Sequence, residues 1–349
     1  PPPARGGRVN ITLPLFRPFP LLQGPAAQTI SGALLPGPAR SSLPAGETFT
    51  VEVEPGERVL LERTAAKGPP RGRLVLFHGL GGCADSRYLR RTLLAAHARG
   101  WEVARVNARG ANGHHHLARR LPHAGRWPDL APILAADIWT PAARHTPMAA
   151  VGFSLGGSIL LRHLGETGVG SGLDVAIAVN PPTDLTRSIV ELEKPANRLY
   201  QAYYVRGLAS GLRRRARLYP DLYKRPDPRR HRTVRAIDED YIAPDAGYPS
   251  AYAYWVGSSA VRALDGVRTP TLVLSSQDDP FVPADMLRRD IQGRPFLQLA
   301  LVPQGGHMGY LAWSRGRLRF WAADTALHVL EEHLRKRHIL RRKTVSVTG

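Results

Sequence analysis

The stretch AAVGFSLGGSILLRHL, residues 149–164, runs from small apolar residues through a cluster of glycines into a helical pattern, and it holds Ser154 between Gly152 and Gly156. A short apolar run reads as a buried strand, and the pattern after it as a helix. Side chains at Gly152 or Gly156 would collide with the neighbouring strand and helix, so glycine lets the two meet in a turn tight enough to strain the serine backbone. The helix that starts there aims free N–H groups and the positive end of its dipole at the serine.

Working outward, RLVLF (73–77), SRYLRRTLLAAHAR (86–99, stopped by Gly100) and WEVARVN (101–107) read as strand, helix and strand. Such a βαβ unit implies a parallel sheet buried by helices on both faces. Before it, TFTVEVE (48–54) alternates as a half-buried strand does, and RVLLER (58–63) follows the turn PGE. A helix is expected around Pro128 to Asp137, and DVAIAVN (174–180) is a further strand. The rhythm then stops: residues 183–262 carry helix-like sequence such as NRLYQAYYVRGLASGLRRRARLY (197–219). It resumes at TPTLVLSSQDD (269–279) and LQLALVPQGGH (297–307), and closes with the amphipathic RFWAADTALHVLEEHLRKR (319–337). The expected class is α/β, a mostly parallel doubly wound sheet with a helical cap insertion. Its parts are an N-terminal arm (1–45), a core in two pieces (46–182 and 263–340), the cap insertion (183–262) and a basic tail (341–349).

Composition bounds the partners. At 43% hydrophobic and 22% charged, 349 residues suit a globular chain with a full core. The net charge of +20, from 48 Lys and Arg against 28 Asp and Glu, favours anionic partners. The arginines are nevertheless spread along the chain, which argues for biased composition and against a nucleic-acid face. Arg213, Arg214, Arg215 and Arg217 read as a mostly solvated face that also suits an anionic lipid head group. The single Cys83 excludes an internal disulfide and a cysteine-rich metal site. HHH (114–116) lacks an accompanying carboxylate or cysteine cluster, so no metal and no cofactor is expected. No apolar run approaches the ~20 residues that span a bilayer. The opening PPPARGGRVNITLPLF lacks an initiating Met and a signal-peptide core, which makes a cytoplasmic location the expectation. The tail RKRHILRRKTVSVTG (335–349) reads as a solvated helix end.

Gly-x-Ser-x-Gly between a strand and a helix is the setting of a nucleophile elbow. A serine hydroxyl needs a base, and the base needs an orienting acid. Both belong after the serine, acid before histidine, on loops at strand ends. QDDPFVP (277–283) supplies Asp279, and QGGHMGY (304–310) supplies His307 with flanking glycines; of the 13 histidines, only His307 combines order, loop and glycines. Asp278 is the rival acid, with spacing to the following VP favouring Asp279. Acyl transfer builds negative charge on the former carbonyl oxygen, and each backbone N–H aimed at it lowers the barrier by ~3 to 4 kcal/mol. Leu155, next to the nucleophile, and Leu80, in the strand-end loop of LFHGLGG, are the expected donors. His78 is expected to hold that loop, and Cys83 to pack. Tyr200, Tyr203, Tyr204, Tyr252, Tyr254 and Trp255 are candidates for an acyl pocket or for the core of the cap.

With these residues in hand, the chain resembles the α/β-hydrolases, and more narrowly the YheT-type branch of the alpha/beta-hydrolase domain-containing proteins. FHGLGGCADSRYLRRTLLAAHARGWEVARVNARG resembles the branch's oxyanion loop, helix, strand and Asn-x-Arg-Gly turn, here Asn107 to Gly110. VGFSLGG, DDPFVP and GGHMGY resemble its nucleophile, acid and histidine signatures, and AAQTISGALLP its N-terminal Gln-Thr segment. Gly81 stands where relatives usually carry an acidic residue. The resemblance implies an esterase or lipase acting on acyl glycerols, phospholipids or simple acyl esters. The expectation is therefore a serine hydrolase with Ser154 as nucleophile, His307 as base, Asp279 as orienting acid, and Leu80 and Leu155 as oxyanion donors. Its partner is a small acyl ester, with peripheral contact to anionic lipid. The alternatives are acyl transfer by the same machinery in a site that excludes water, or a basic lipid- or nucleic-acid-binding protein on a hydrolase scaffold, marked by salt-sensitive binding without turnover.

Overall fold

The computed structural model of the chain describes residues 13–314 and 316–347. Its main sheet consists of β1 (Glu47–Glu54), β2 (Glu57–Thr64), β3 (Gly72–Phe77), β4 (Trp101–Asn107), β5 (Met148–Phe153), β6 (Val175–Val179), β7 (Thr271–Ser276) and β8 (Leu297–Val302). The spatial order is β1-β2-β4-β3-β5-β6-β7-β8. β1, β2 and β4 pair antiparallel, and every pair from β4 to β8 is parallel. A separate hairpin joins β9 (Leu311–Ser314) to β10 (Arg317–Phe320). Helices α1 (Pro25–Leu34), α2 (Arg87–His97), α3 (Leu130–Ala135), α4 (Leu155–Thr167), α10 (Ala284–Ile291) and α11 (Trp321–Val347) accompany the sheet. Between β6 and β7 lie α5 (Leu185–Glu193), α6 (Arg198–Leu218), α7 (Val234–Ile237), α8 (Ala243–Asp245) and α9 (Ala251–Ser258).

The chemistry of each strand matches its place. β5 is buried at every residue, because MAAVGF sits mid-sheet under helices on both faces and carries no polar side chain that would need water. β1, at the sheet edge, alternates half-buried and exposed residues, as its period of two requires. One core packs Leu93, Trp101, Val151, Ile177 and Leu327 between the sheet and the α2 and α11 side. The other packs Val75, Leu160, Leu164, Ile189 and Trp255, and so includes the helices inserted after β6. β3 lies between β4 and β5, so the loops leaving β3 and β5 diverge and open a crevice at the carboxyl edge of the sheet.

Three features depart from the expectations. The last helix begins at Trp321; Arg319 and Phe320, read above as its start, belong to the β10 strand. The β9–β10 hairpin was unforeseen, and Pro18 bridges to Ala312 on it. The arginine run of α6 is not uniformly solvated: Arg213, Arg214 and Arg217 are exposed, but Arg215 is 2% exposed. Its guanidinium donates to the carbonyls of Ala118 (2.7 Å), Arg119 (2.8 Å) and Arg109 (3.1 Å), tying α6 to the loop after β4. Arg215→Met leaves the Ala118 and Arg109 carbonyls without this donor, while the Arg119 carbonyl keeps the Tyr223 hydroxyl at 3.0 Å, and is expected to lower unfolding free energy by about 2 to 4 kcal/mol. A fall in denaturant midpoint at unchanged m-value measures this; an unmoved midpoint returns Arg215 to the solvated face.

Residues 1–12 of the expected arm, and 348–349 of the tail, lie outside the described residues. So do the side chains from 337 onward, on which the reading of the basic tail 341–349 rests. Among the described residues, no helix is long and apolar enough to cross a membrane, and no group of His, Cys, Asp or Glu side chains comes together as metal ligands.

Candidate active site

Ser154 occupies the turn between β5 and α4 at φ 51°, ψ −123°, a conformation that costs a non-glycine residue on the order of 1–3 kcal/mol. The surroundings enforce it. A Cβ at Gly156 would press into the carbonyl oxygens of Phe77 and His78, and one at Gly152 into the backbone of Gly156 and Gly157. The Ser154 N–H is held by the Val179 carbonyl at 2.8 Å, which fixes the turn against β6.

The structure brings Ser154, His307 and Asp279 together. Asp279 Oδ2 accepts from His307 Nδ1–H at 2.8 Å, which leaves Nε2 as the acceptor for the Ser154 hydroxyl, also at 2.8 Å. Asp279 Oδ1 accepts from the N–H groups of Phe281 (2.8 Å) and Val282 (3.0 Å), so the carboxylate has no freedom to turn away. Asp278 faces elsewhere, accepting from the Gly306 N–H at 2.8 Å. Phe281 sets its ring edge-on to His307, with centroids 4.9 Å apart.

Leu80 and Leu155 lie beside the serine. The Leu155 N–H opens α4 and has no partner within the helix. The Leu80 N–H has no hydrogen-bond acceptor among the described residues. His78 spans its loop: Nδ1 lies 2.8 Å from the Gly79 carbonyl, and Nε2 accepts from the Ala108 N–H at 3.1 Å. Burial holds its imidazole below the usual range, so it is neutral and serves as a bridge. Cys83 is half-buried, and burial pushes its thiol up, away from the reactive thiolate.

Sequence reasoning missed a supporting layer. Asn180, fully buried at φ 48° after β6, donates to Asp279 Oδ2 (2.6 Å) and accepts from the Tyr310 hydroxyl (2.7 Å). Thr29 Oγ1 accepts from the His307 N–H at 2.9 Å, and Gln28 exchanges hydrogen bonds with the Leu311 backbone. The AAQTISGALLP segment thus clamps the histidine loop, whose Gly306 and Gly309 leave no room for a Cβ against Thr29 and Gln28. The only local signal for Asn180 was its place at the carboxyl end of a parallel strand.

Two cavities meet at this point, and Leu80 and Leu155 line both. The larger, about 370 Å³, runs among Phe77, Val106, Leu130, Ile159 and Leu212. The smaller, about 120 Å³, contains Ser154 and His307 and is walled by Tyr204, Tyr254, Trp255 and Phe281. Of the aromatic candidates, Tyr203 and Tyr252 are corrected: at 70% and 66% exposed, they point outward from their helices. Tyr200 packs edge-on against Phe281 at 4.9 Å.

A family described as the alpha/beta hydrolase family matches residues 74–318. A putative esterase YheT of Escherichia coli is 30% identical over 270 residues, 73% of this chain and 78% of its own length. A monoacylglycerol lipase of Saccharomyces cerevisiae is 28% identical over 268 residues, 74% of this chain; the chain spans 58% of that relative's length. Est1E of Butyrivibrio proteoclasticus shares the fold with a TM-score of 0.51 at 13% identity, over 83% of this chain and 99% of Est1E.

Proposed function

The chain belongs to the alpha/beta hydrolase family and is a carboxylic ester hydrolase, and from that premise we propose that it works through Ser154, His307 and Asp279 by way of an acyl-enzyme. The observation that carries the reading is the unbroken line from Asp279 Oδ2 through His307 to Ser154 Oγ, both steps 2.8 Å, ending in a cavity. In the first half-reaction, Ser154 Oγ attacks the ester carbonyl while His307 Nε2 takes its proton. Asp279 holds the imidazole in the tautomer that can accept and stabilises the imidazolium. The oxyanion sits between the N–H groups of Leu80 and Leu155. His307 then hands the proton to the departing alkoxide. In the second half-reaction, it deprotonates water, which attacks the acyl carbonyl and frees the acid.

The acyl chain takes the larger cavity. Benzene occupies a cavity of roughly 150 Å³, so about 370 Å³ suits a chain on the order of a dozen carbons. Peripheral contact with anionic lipid, if made through α6, falls to Arg213, Arg214 and Arg217, because Arg215 is committed to backbone carbonyls.

A fluorophosphonate probe, followed by peptide mapping, is expected to label Ser154 alone. On aryl esters, kcat/KM is expected to rise by up to about fourfold per methylene, the value of ~0.8 kcal/mol for a buried CH₂, up to about twelve carbons and then to stop rising. Label on another residue would overturn the nucleophile, and a flat chain-length series would overturn the acyl cavity.

A further inference from the structure

Resting on the ester-hydrolase reading above, we propose that Asn180 is a positioning residue of the triad. Its amide, aimed by Tyr310, holds the Asp279 carboxylate in the charged form and so keeps His307 Nε2 free to take the serine's proton. The Asp279 side chain is fully buried, and among the described residues no lysine or arginine reaches its carboxylate. A carboxylate so placed takes up a proton, or draws one onto its partner, unless hydrogen-bond donors stand in for a counter-ion. Four donors take that place. Oδ1 accepts from the Phe281 and Val282 N–H groups, and Oδ2 accepts from His307 Nδ1–H (2.8 Å) and Asn180 Nδ2–H (2.6 Å). Together they occupy the lone-pair positions of both oxygens. Asn180 thus shares with His307 the one oxygen on which the base depends.

The amide can face only one way. Its oxygen accepts from the Tyr310 hydroxyl at 2.7 Å, and its nitrogen also lies 3.2 Å from Ser275 Oγ and 3.3 Å from the Gly306 carbonyl. Turned over, it would set its oxygen against Asp279 Oδ2 and the Gly306 carbonyl, and its N–H groups against the Tyr310 O–H. Burial keeps the Tyr310 phenol protonated well above its ordinary range, so it remains a donor across neutral and mildly alkaline pH. The backbone is strained at the same points. Among the described residues, five non-glycine residues have a left-handed φ, and four of them are Ser154 (51°), Asn180 (48°), Met308 (63°) and Tyr310 (44°). Such conformations persist where the surroundings over-determine them, and they cluster at active sites.

The positive end of the Asn180 amide faces Asp279 and His307. It stabilises the lone charge of Asp279 beside a neutral imidazole. It does less for the ion pair formed once His307 is protonated, in which the carboxylate charge is balanced and the imidazolium is repelled. Without the amide, His307 keeps its proton to higher pH, and less of the enzyme holds a usable base near neutrality. The other titratable groups facing the pair are Asp278 on the acid loop, Tyr310 on the histidine loop, Tyr200 and Tyr204 on α6, and Asp238 in the wall of the small cavity. None of these carries a positive charge, so the balance rests on the hydrogen-bond donors.

Profiles of kcat/KM against pH on an aryl octanoate provide the test. Asn180→Gly suits the backbone at φ 48° and removes the amide. Its acid limb is expected to move up by about one pH unit, a tenfold change in proton affinity and the lower end of what a hydrogen bond to a charged group supplies. KM on the alkaline plateau is expected to stay within about twofold, because Asn180 lines neither cavity. Tyr310→Phe removes only the hydroxyl that aims the amide, so the limb moves the same way by less, and adding it to Asn180→Gly moves nothing further. Thermal melts accompany the profiles: a purely structural Asn180 would lower the melt and leave the limb in place. If Asn180→Gly fails to fold, Tyr310→Phe decides alone. An acid limb that stays or moves down in the folded variants overturns the role of Asn180 while leaving the hydrolase reading in place. A wild-type enzyme that neither hydrolyses the aryl ester nor takes the fluorophosphonate on Ser154 overturns both.

Discussion

Ser154→Ala is expected to retain its fold and to lose ester hydrolysis by about 10⁶ in kcat, the scale known for a serine nucleophile in subtilisin. Alanine keeps the Cβ and adds no atom, so the strained backbone at φ 51° is neither relieved nor worsened. What disappears is Oγ, the atom 2.8 Å from His307 Nε2. The Leu80 and Leu155 N–H groups and the cavities remain, so a residual rate above that in water is expected under the proposed mechanism. A thermal melt and a kcat measured on the same preparation separate chemistry from stability. Turnover above about a thousandth of wild type, with an unshifted melt, would show that Ser154 is not the nucleophile.

Which parts of this site could be read from the sequence follows from how local their causes are. The turn at Ser154 is set by glycines two residues to either side, and those glycines are visible because the collision they avoid is with the adjoining strand and helix. Strand character in β3, β5 and β6 follows from burial on both faces, which writes itself as continuous apolar runs. The missed residues depend on contacts distant in sequence. Thr29 reaches the His307 N–H across 278 positions, and Tyr310 reaches Asn180 across 130; nothing beside Thr29 or Asn180 reports that partner. Arg215 differs from Arg213 and Arg214 only in helical phase, which decides which of three identical side chains meets the loop at Arg109 and Ala118. Tyr203 and Tyr204 make the same point: adjacent and chemically alike, one is exposed and the other walls the small cavity. The β9–β10 hairpin escaped because its strands are short and lie between a glycine-rich loop and a strong helical pattern that overran the boundary.

Asp279→Asn is expected to lower kcat/KM by about 10⁴, and Asp278→Asn by less than tenfold. The hydrogen bonds dictate the difference. Asp279 Oδ1 accepts from the N–H groups of Phe281 and Val282, so an asparagine there places its carbonyl oxygen on that side. Its amide nitrogen then faces His307 Nδ1 and the Asn180 amide, both of which donate to the native carboxylate. The imidazole escapes by moving its proton to Nε2. That tautomer turns an N–H toward Ser154 Oγ and cannot take the serine's proton. Asn180 keeps a donor-to-donor clash, so a modest fall in melting temperature accompanies the loss of rate. At Asp278 the outcome is different: the one bond made by Oδ1, from the Gly306 N–H, is equally available to an amide oxygen. The other oxygen is buried without a partner, and replacing it removes no interaction. Raising the pH tests the tautomer directly, since hydroxide can take up the work of a misoriented base: the Asp279→Asn rate is expected to keep climbing with pH beyond the plateau of the wild type. Should Asp278→Asn prove the more damaging of the two, the orienting acid would be Asp278, and the path from Asp279 Oδ2 to His307 would be structural only.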